Sequence, residues 1–207
     1  MFSKYIVTPL ILAASVLSAP AALVPRQSCS SLQLVHLAGT TEVGLGTVGT
    51  PLSRALASAV PGTTTKSITY STIAEYAVTV EQGASTTTQY LKSQSAACPD
   101  QRFVLSGYSK GALVLHRMNL DNDLKSKVAG VLVFGDPLRG MSNDWPINNA
   151  SVNMSPKDGN SGSQNTASFC NTGDLFCFRP GTSLPAHLAY PMDGSIAAAA
   201  SFIKAAI

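Results

Sequence analysis

The chain has 207 residues, of which 14 are basic and 11 acidic, and only 12% of the residues carry charge. Setting aside Lys4 and Arg26, which fall in the leader described next, 12 basic residues stand against 11 acidic, a net of +1. That balance excludes the basic footprint of a nucleic-acid binder, and the length suits one domain with a sizeable core.

The N-terminus opens on Lys4 and an apolar stretch over residues 6–17, too short to span a bilayer, followed by the small residues Ser18-Ala19-Pro20-Ala21-Ala22. This reads as a secretory signal over residues 1–22. Val24-Pro25-Arg26 reads as the end of a short pro-segment over residues 23–26, so a single domain is expected over 27–207. No later stretch has the length and apolarity of a membrane span. A secreted, extracellular monomer without a membrane anchor is expected.

Residues 32–37 read as a buried strand, followed by a Gly/Thr-rich loop over 38–50. Residues 51–60 have helical spacing, with Leu52, Ala55, Leu56 and Ala59 on one face. Residues 67–73 are β-prone, and residues 85–97 are helical, anchored by Tyr90 and Leu91. The apolar run 102–105 reads as a strand and 112–118 as a helix. Residues 128–134 form a continuous apolar run that ends at Gly135-Asp136-Pro137, the pattern of a central strand. A polar excursion over 142–165, a short strand within 168–178 and an Ala-rich C-terminal helix complete the chain. Strands alternating with helices predict an α/β fold with a mostly parallel sheet.

Between the strand at 102–105 and the helix at 112–118 lies Gly107-Tyr108-Ser109-Lys110-Gly111. Strand, G-x-S-x-G, helix is the context of a nucleophile elbow, a turn so tight that the serine hydroxyl stands clear of the sheet. A serine hydroxyl needs a base. His36 lies inside the first strand, and His116 lies two turns along the elbow helix, roughly 10 Å from Ser109. His187 lies in a loop before the last helix and has acidic residues between itself and Ser109, the chain order of such hydrolases. Asp136, Asp144, Asp158 and Asp174 are the acid candidates. Asp174 is favoured because Cys170 and Cys177 bracket it, with Asp136 as the rival. The oxyanion hole needs preorganised N–H donors. Lys110, next after the serine, and Thr40, in the loop after the first strand, are in the right places.

In an exported chain four cysteines predict two disulfides. Of three possible pairings, Cys29–Cys98 and Cys170–Cys177 are favoured, since the first ties down the mature N-terminus and the second closes a short loop. A zinc site is the alternative, but the chain lacks a C-x-x-C pair, and no metal or other cofactor is expected. Gly44-Leu45-Gly46-Thr47-Val48-Gly49 matches the dinucleotide fingerprint, yet six residues separate Leu37 from Gly44, so it reads as a rim loop. Asn149-Ala150-Ser151 and Asn153-Met154-Ser155 are glycosylation sequons.

The chain resembles the cutinase family of esterases, which also includes acetylxylan esterases. The resemblance is carried by Ala38-Gly39-Thr40-Thr41-Glu42, Gly107-Tyr108-Ser109-Lys110-Gly111, Val133-Phe134-Gly135-Asp136-Pro137, the segment Cys170-Asn171-Thr172-Gly173-Asp174-Leu175-Phe176-Cys177, and Pro185-Ala186-His187-Leu188-Ala189-Tyr190, in that order. It implies a small, lidless α/β-hydrolase with a central five-stranded parallel sheet. It implies a triad of Ser109, Asp174 and His187, and oxyanion donors at Thr40 and Lys110. The residue after the serine is usually Gln in this family, so Lys110 sets a cation beside the site. Ala38 replaces a usual Arg, removing a partner for Glu42, and Thr40 stands where Ser is common. The expected function is a secreted serine esterase acting on cutin-like polyesters and shorter esters. A deacetylase of plant polysaccharide and a non-catalytic carbohydrate-binding relative are the alternatives. Leu175, Phe176, Leu184 and Leu188 flank the acid and base and are candidates for an apolar acyl groove.

Overall fold

A computed structural model describes residue 1 and residues 29–141, 144–159 and 162–207. Met1 apart, the expected signal over 1–22 and pro-segment over 23–26 lie outside the described residues. Six strands, β1 (Leu32–Leu37), β2 (Thr64–Ser67), β3 (Arg102–Tyr108), β4 (Val128–Phe134), β5 (Val152–Asn153) and β6 (Thr166–Phe169), form one sheet in the order β2-β1-β3-β4-β6-β5. All pairings are parallel.

The central strands are buried on both faces, which is why β4 reads as an unbroken apolar run, while in β1 the polar Gln33 and His36 are buried with hydrogen-bond partners in Tyr90 and Ser106. Leu32 and Leu34 of β1, Val104 of β3, and Leu132 and Phe134 of β4 enter one core, with α1 (Gly46–Ala59) and α6 (Ser195–Ala206) over it. Their alternates Val35, Leu37, Phe103, Leu105, Val131 and Val133 enter a second core under α2 (Thr79–Ala97), α3 (Lys110–Arg117) and α4 (Asn122–Lys127). Two cores separated by one sheet give the three layers of a doubly covered α/β fold.

Four expectations are corrected. The sheet has six strands rather than five, because two residues of the polar excursion pair with β6. The β-prone stretch at 67–73 is not itself a strand. The edge strand β2 ends at the first residue of that stretch, Ser67, and is polar, since only one side of an edge strand is covered. Residues 46–49, expected in a rim loop, form the first turn of α1. Helix α2 begins six residues before position 85, where the Glu75 carboxylate accepts the N–H groups of Val78 (3.0 Å) and Thr79 (3.1 Å). Helix α4 is six residues with only Leu124 buried, and the sequence reading did not foresee it. The disulfides are Cys29–Cys98 and Cys170–Cys177, the favoured pairing.

Candidate active site

β3 delivers the chain to Ser109 at φ 53° and ψ −112°, a conformation that an L-residue adopts only under strain. The flanking glycines permit it. A Cβ on Gly107 would stand 2.5 Å from the backbone of Gly111, and one on Gly111 would stand 2.1 Å from the carbonyl oxygen of Leu37. The turn is held from the neighbouring strand, where the Ser109 N–H donates to Phe134 O at 2.9 Å. The serine hydroxyl makes no side-chain hydrogen bond among the described residues and is left open to a reactant.

His187 reaches this point from a five-residue helix, α5 (Leu184–Leu188), rather than from the expected loop. Ser183 caps α5 by accepting the Ala186 N–H (3.1 Å). The imidazole packs against the end of β4, where a Cβ on Gly135 would lie 2.5 Å from His187 Cε1. It stacks on Tyr108, the residue before the serine, at 5.1 Å between centroids. The Tyr108 hydroxyl donates to the His187 carbonyl at 2.9 Å. Ser109 and the His187 ring therefore both lie at the C-terminal ends of β3 and β4, where parallel sheets place their ligands.

Nδ1 of His187 lies 2.9 Å from Oδ2 of Asp174, and both side chains are buried. The carboxylate accepts that N–H, which leaves Nε2 as the acceptor on the imidazole. Asp174 is fully buried, and burial alone would raise its pKa. Hydrogen bonds from His187 and Tyr190 and from the Phe176 N–H outweigh burial and hold it below the ordinary carboxylate value. The Cys170–Cys177 bridge closes the loop whose Phe176 and Cys177 N–H groups donate to Asp174 Oδ1 (2.8 and 3.4 Å).

The rival acid is engaged elsewhere. Asp136 Oδ2 lies 2.9 Å from His116 Nε2, and its Oδ1 accepts the Leu138 N–H at 2.9 Å. The His116 ring is completed by the Asp144 carbonyl (3.1 Å) and by Trp145, 4.2 Å away between centroids. Asp144 and Asp158 are exposed. His36 is fully buried in β1, with Nδ1 3.0 Å from Ser106 Oγ, and burial lowers its pKa to about 3. It is a neutral core histidine.

The loop after β1 is folded around Glu42. Its carboxylate accepts the N–H of Gly39 (2.7 Å), the N–H of Thr47 (2.8 Å) and the Thr47 hydroxyl (2.6 Å). Glu42 thus finds backbone partners in place of the arginine missing at position 38. It also fills the N-terminus of α1, the place where a phosphate would sit if residues 44–49 bound a dinucleotide. Thr40 and Lys110 have no intramolecular acceptor for their N–H groups among the described residues. The two loops abut, since a Cβ on Gly39 would lie 2.9 Å from the Tyr108 ring.

Lys110 is placed differently from expectation. Its side chain is fully buried, and Nζ donates to the carbonyls of Ser71 (3.0 Å), Ile73 (2.6 Å) and Glu75 (2.8 Å). The cation is tied to the 71–75 loop rather than aimed at the imidazole. Burial lowers its pKa, and the Glu75 carboxylate opposes that shift.

Tyr190 is the site residue that sequence reasoning missed. It is fully buried and donates to Asp174 Oδ2, the oxygen that His187 also uses. Burial and the neighbouring carboxylate raise its pKa, so it remains a donor. Its one sequence signal is its place three residues beyond His187. Asn171 adds a second brace, donating from Nδ2 to Ala186 O at 2.9 Å.

The cutinase family model matches residues 28–207. A cutinase of Botryotinia fuckeliana is 32% identical over 216 residues, covering 99% of this chain and 96% of that protein. Carboxylesterase Culp1 of Mycobacterium tuberculosis is 30% identical over 180 residues, covering 84% of this chain and 80% of that one. A Trichoderma reesei cutinase solved with a phosphonate inhibitor superposes with TM-score 0.68 at 25% identity, over 87% of this chain and 78% of that one. The catalytic core of a Trichoderma reesei acetyl xylan esterase shares the fold, with TM-score 0.70 at 20% identity over 86% of this chain and 100% of that one.

Proposed function

Since the chain belongs to the cutinase family and is a carboxylic ester hydrolase of the serine type, we propose that Ser109, His187 and Asp174 carry its chemistry. The observation that carries this reading is the His187–Asp174 pair beside the strained elbow serine. His187 Nε2 takes the Ser109 proton as Oγ attacks the ester carbonyl, and Asp174 stabilises the imidazolium. The oxyanion is held by the N–H groups of Thr40 and Lys110 and by the Thr40 hydroxyl. Collapse expels the alcohol with the proton from His187. Water, deprotonated by the same imidazole, then releases the acid from the acyl-enzyme.

The substrate we assign is an aliphatic ester, from short acyl esters to a cutin-like polyester. Leu175, Phe176, Leu184 and Leu188 are exposed on the acid–base side. Val43, Ile73, Tyr76 and Val78 are exposed on the segments that flank the oxyanion loop. Apolar side chains on both sides of a reactive serine favour an acyl chain over a sugar. A signal over residues 1–22 and two disulfides support secretion. A fluorophosphonate is expected to label Ser109 alone, as read by peptide mass spectrometry, with label and esterase activity lost together in Ser109→Ala. Labelling elsewhere, or activity surviving in Ser109→Ala, refutes the nucleophile. Faster release of acetate from acetylated xylan than of butyrate from p-nitrophenyl butyrate refutes the substrate class.

A further inference from the structure

Residues 71–78 border the oxyanion loop, and none of their side chains enters either core; Tyr70, which packs on the second core and donates to Ala38 O (2.5 Å), precedes them and the buried Thr79 follows. A segment without a core anchor has to be held by hydrogen bonds. Lys110 supplies them from below. Its ammonium has three N–H donors, and all three are engaged by the carbonyls of Ser71, Ile73 and Glu75, while the rings of Tyr70 and Tyr76 face it at 5.8 and 5.1 Å. The held segment is bonded in turn to the oxyanion loop. Thr41 N–H donates to Thr72 O (2.7 Å), Thr72 Oγ1 donates to Glu42 O (2.9 Å), and the Tyr76 hydroxyl lies 2.9 Å from Thr40 Oγ1.

We infer that Lys110 is a positioning residue for the oxyanion hole: its ammonium seats the 71–76 segment so that Tyr76 donates to Thr40 Oγ1 and aims the Thr40 hydrogen at the oxyanion. This rests on the proposed reading of Thr40 as an oxyanion donor. A hydroxyl that accepts one hydrogen bond keeps its own hydrogen for another acceptor, so the Tyr76 contact fixes the direction in which Thr40 donates. One residue then serves both halves of the hole, through its backbone N–H directly and through its side chain by way of Tyr76. The departure at position 110 is matched to this loop. A glutamine carries two N–H donors on a shorter stem, and a methionine carries none.

The test is a mutant cycle read as kcat on p-nitrophenyl butyrate, per active site titrated with a phosphonate. Thr40→Val is expected to lower kcat by about 10-fold or more, part of the 10²–10³ that a whole oxyanion donor contributes. Tyr76→Phe is expected to lower kcat about 10-fold with KM within about twofold, and to have no effect in the Thr40→Val background. Lys110→Met is expected to lower kcat at least as much, and its effect is expected to shrink to within about twofold once Tyr76 is Phe. Lys110→Gln serves in the same cycle if Lys110→Met does not fold. Amide exchange at Thr41, which donates into the segment, is expected to quicken in either lysine variant. An unchanged kcat in Tyr76→Phe overturns the inference whether or not a lysine variant folds. So do lysine and tyrosine effects that multiply, or a lysine variant that loses thermal stability with kcat per titrated site intact. If Thr40→Val is also silent, it is the oxyanion reading that has failed. If Thr40→Val is damaging while Tyr76→Phe is silent, only the positioning role has failed.

Discussion

Tyr190 donates its hydroxyl hydrogen to the same Asp174 oxygen that faces His187 Nδ1, and both side chains are fully buried. The carboxylate is therefore braced on one oxygen by two side chains and on the other by the N–H groups of Phe176 and Cys177. Such bracing favours the ionised form and fixes the direction in which the imidazole points.

Tyr190→Phe removes one donor with little loss of volume. The Asp174 pKa, held below the ordinary value by its donors, then moves upward. Because the acid serves only while ionised, its contribution fades as pH falls through that value. The variant is expected to keep plateau kcat within about tenfold and to lose activity at a higher pH than the parent on the acid side. The pH profile of kcat checks this, and an unshifted acid side means that the other donors suffice.

Asp174→Asn and Asp136→Asn separate the two buried His–Asp pairs. Asp174→Asn is expected to lower kcat by about 10⁴-fold, by analogy with the serine protease triad. Asp136→Asn alters the partner of His116, away from the serine, and is expected to cost on the order of 1–3 kcal/mol of stability with kcat within a few-fold. Urea denaturation and steady-state kinetics on both variants decide it, and the reverse pattern would make Asp136 the acid.

His36 gives the fold its own pH dependence. Burial lowers its pKa from 6.5 to about 3, and Nε2 has no hydrogen-bond partner. The folded value lies below the unfolded one, so the unfolded chain binds the proton first as pH falls. The stability tied to a neutral His36 is complete above about pH 6.5 and drains away toward about pH 3. In the middle of that window the slope from this one group is about 1.4 kcal/mol per pH unit. Urea denaturation at pH 4, 5 and 6 is expected to show a slope about one proton smaller in His36→Gln than in the parent. Equal slopes would mean that His36 is protonated within the native state.

Much was legible in the sequence because it is local. β1 and β4 are legible to the residue, β4 because a strand covered on both faces leaves an unbroken apolar run and β1 because four of its six residues are Leu or Val. The elbow at Ser109 is legible because the turn demands glycine two positions to either side of the serine, at 107 and 111, and that demand is written within five residues. The cysteine bracket singled out Asp174 for the same reason. The edge strand β2 and the two-residue β5 were not legible, because a strand that pairs on one side and faces solvent on the other needs no apolar pattern.

The tertiary structure decided what depends on meetings between distant segments. Asp136 and Asp174 are equally good acids by composition, and only the packing shows that His116 engages the first and His187 the second. Tyr190 enters the site because α5 turns the chain back over the end of β4. Lys110 is the clearest case. In sequence it is a cation next to the nucleophile. In the fold its long stem carries the charge under a loop 35 to 39 residues away, where three carbonyls face it. A side chain's partners are set by which backbone atoms lie within hydrogen-bonding reach. That distance is fixed only once sheet, helix and loop have packed.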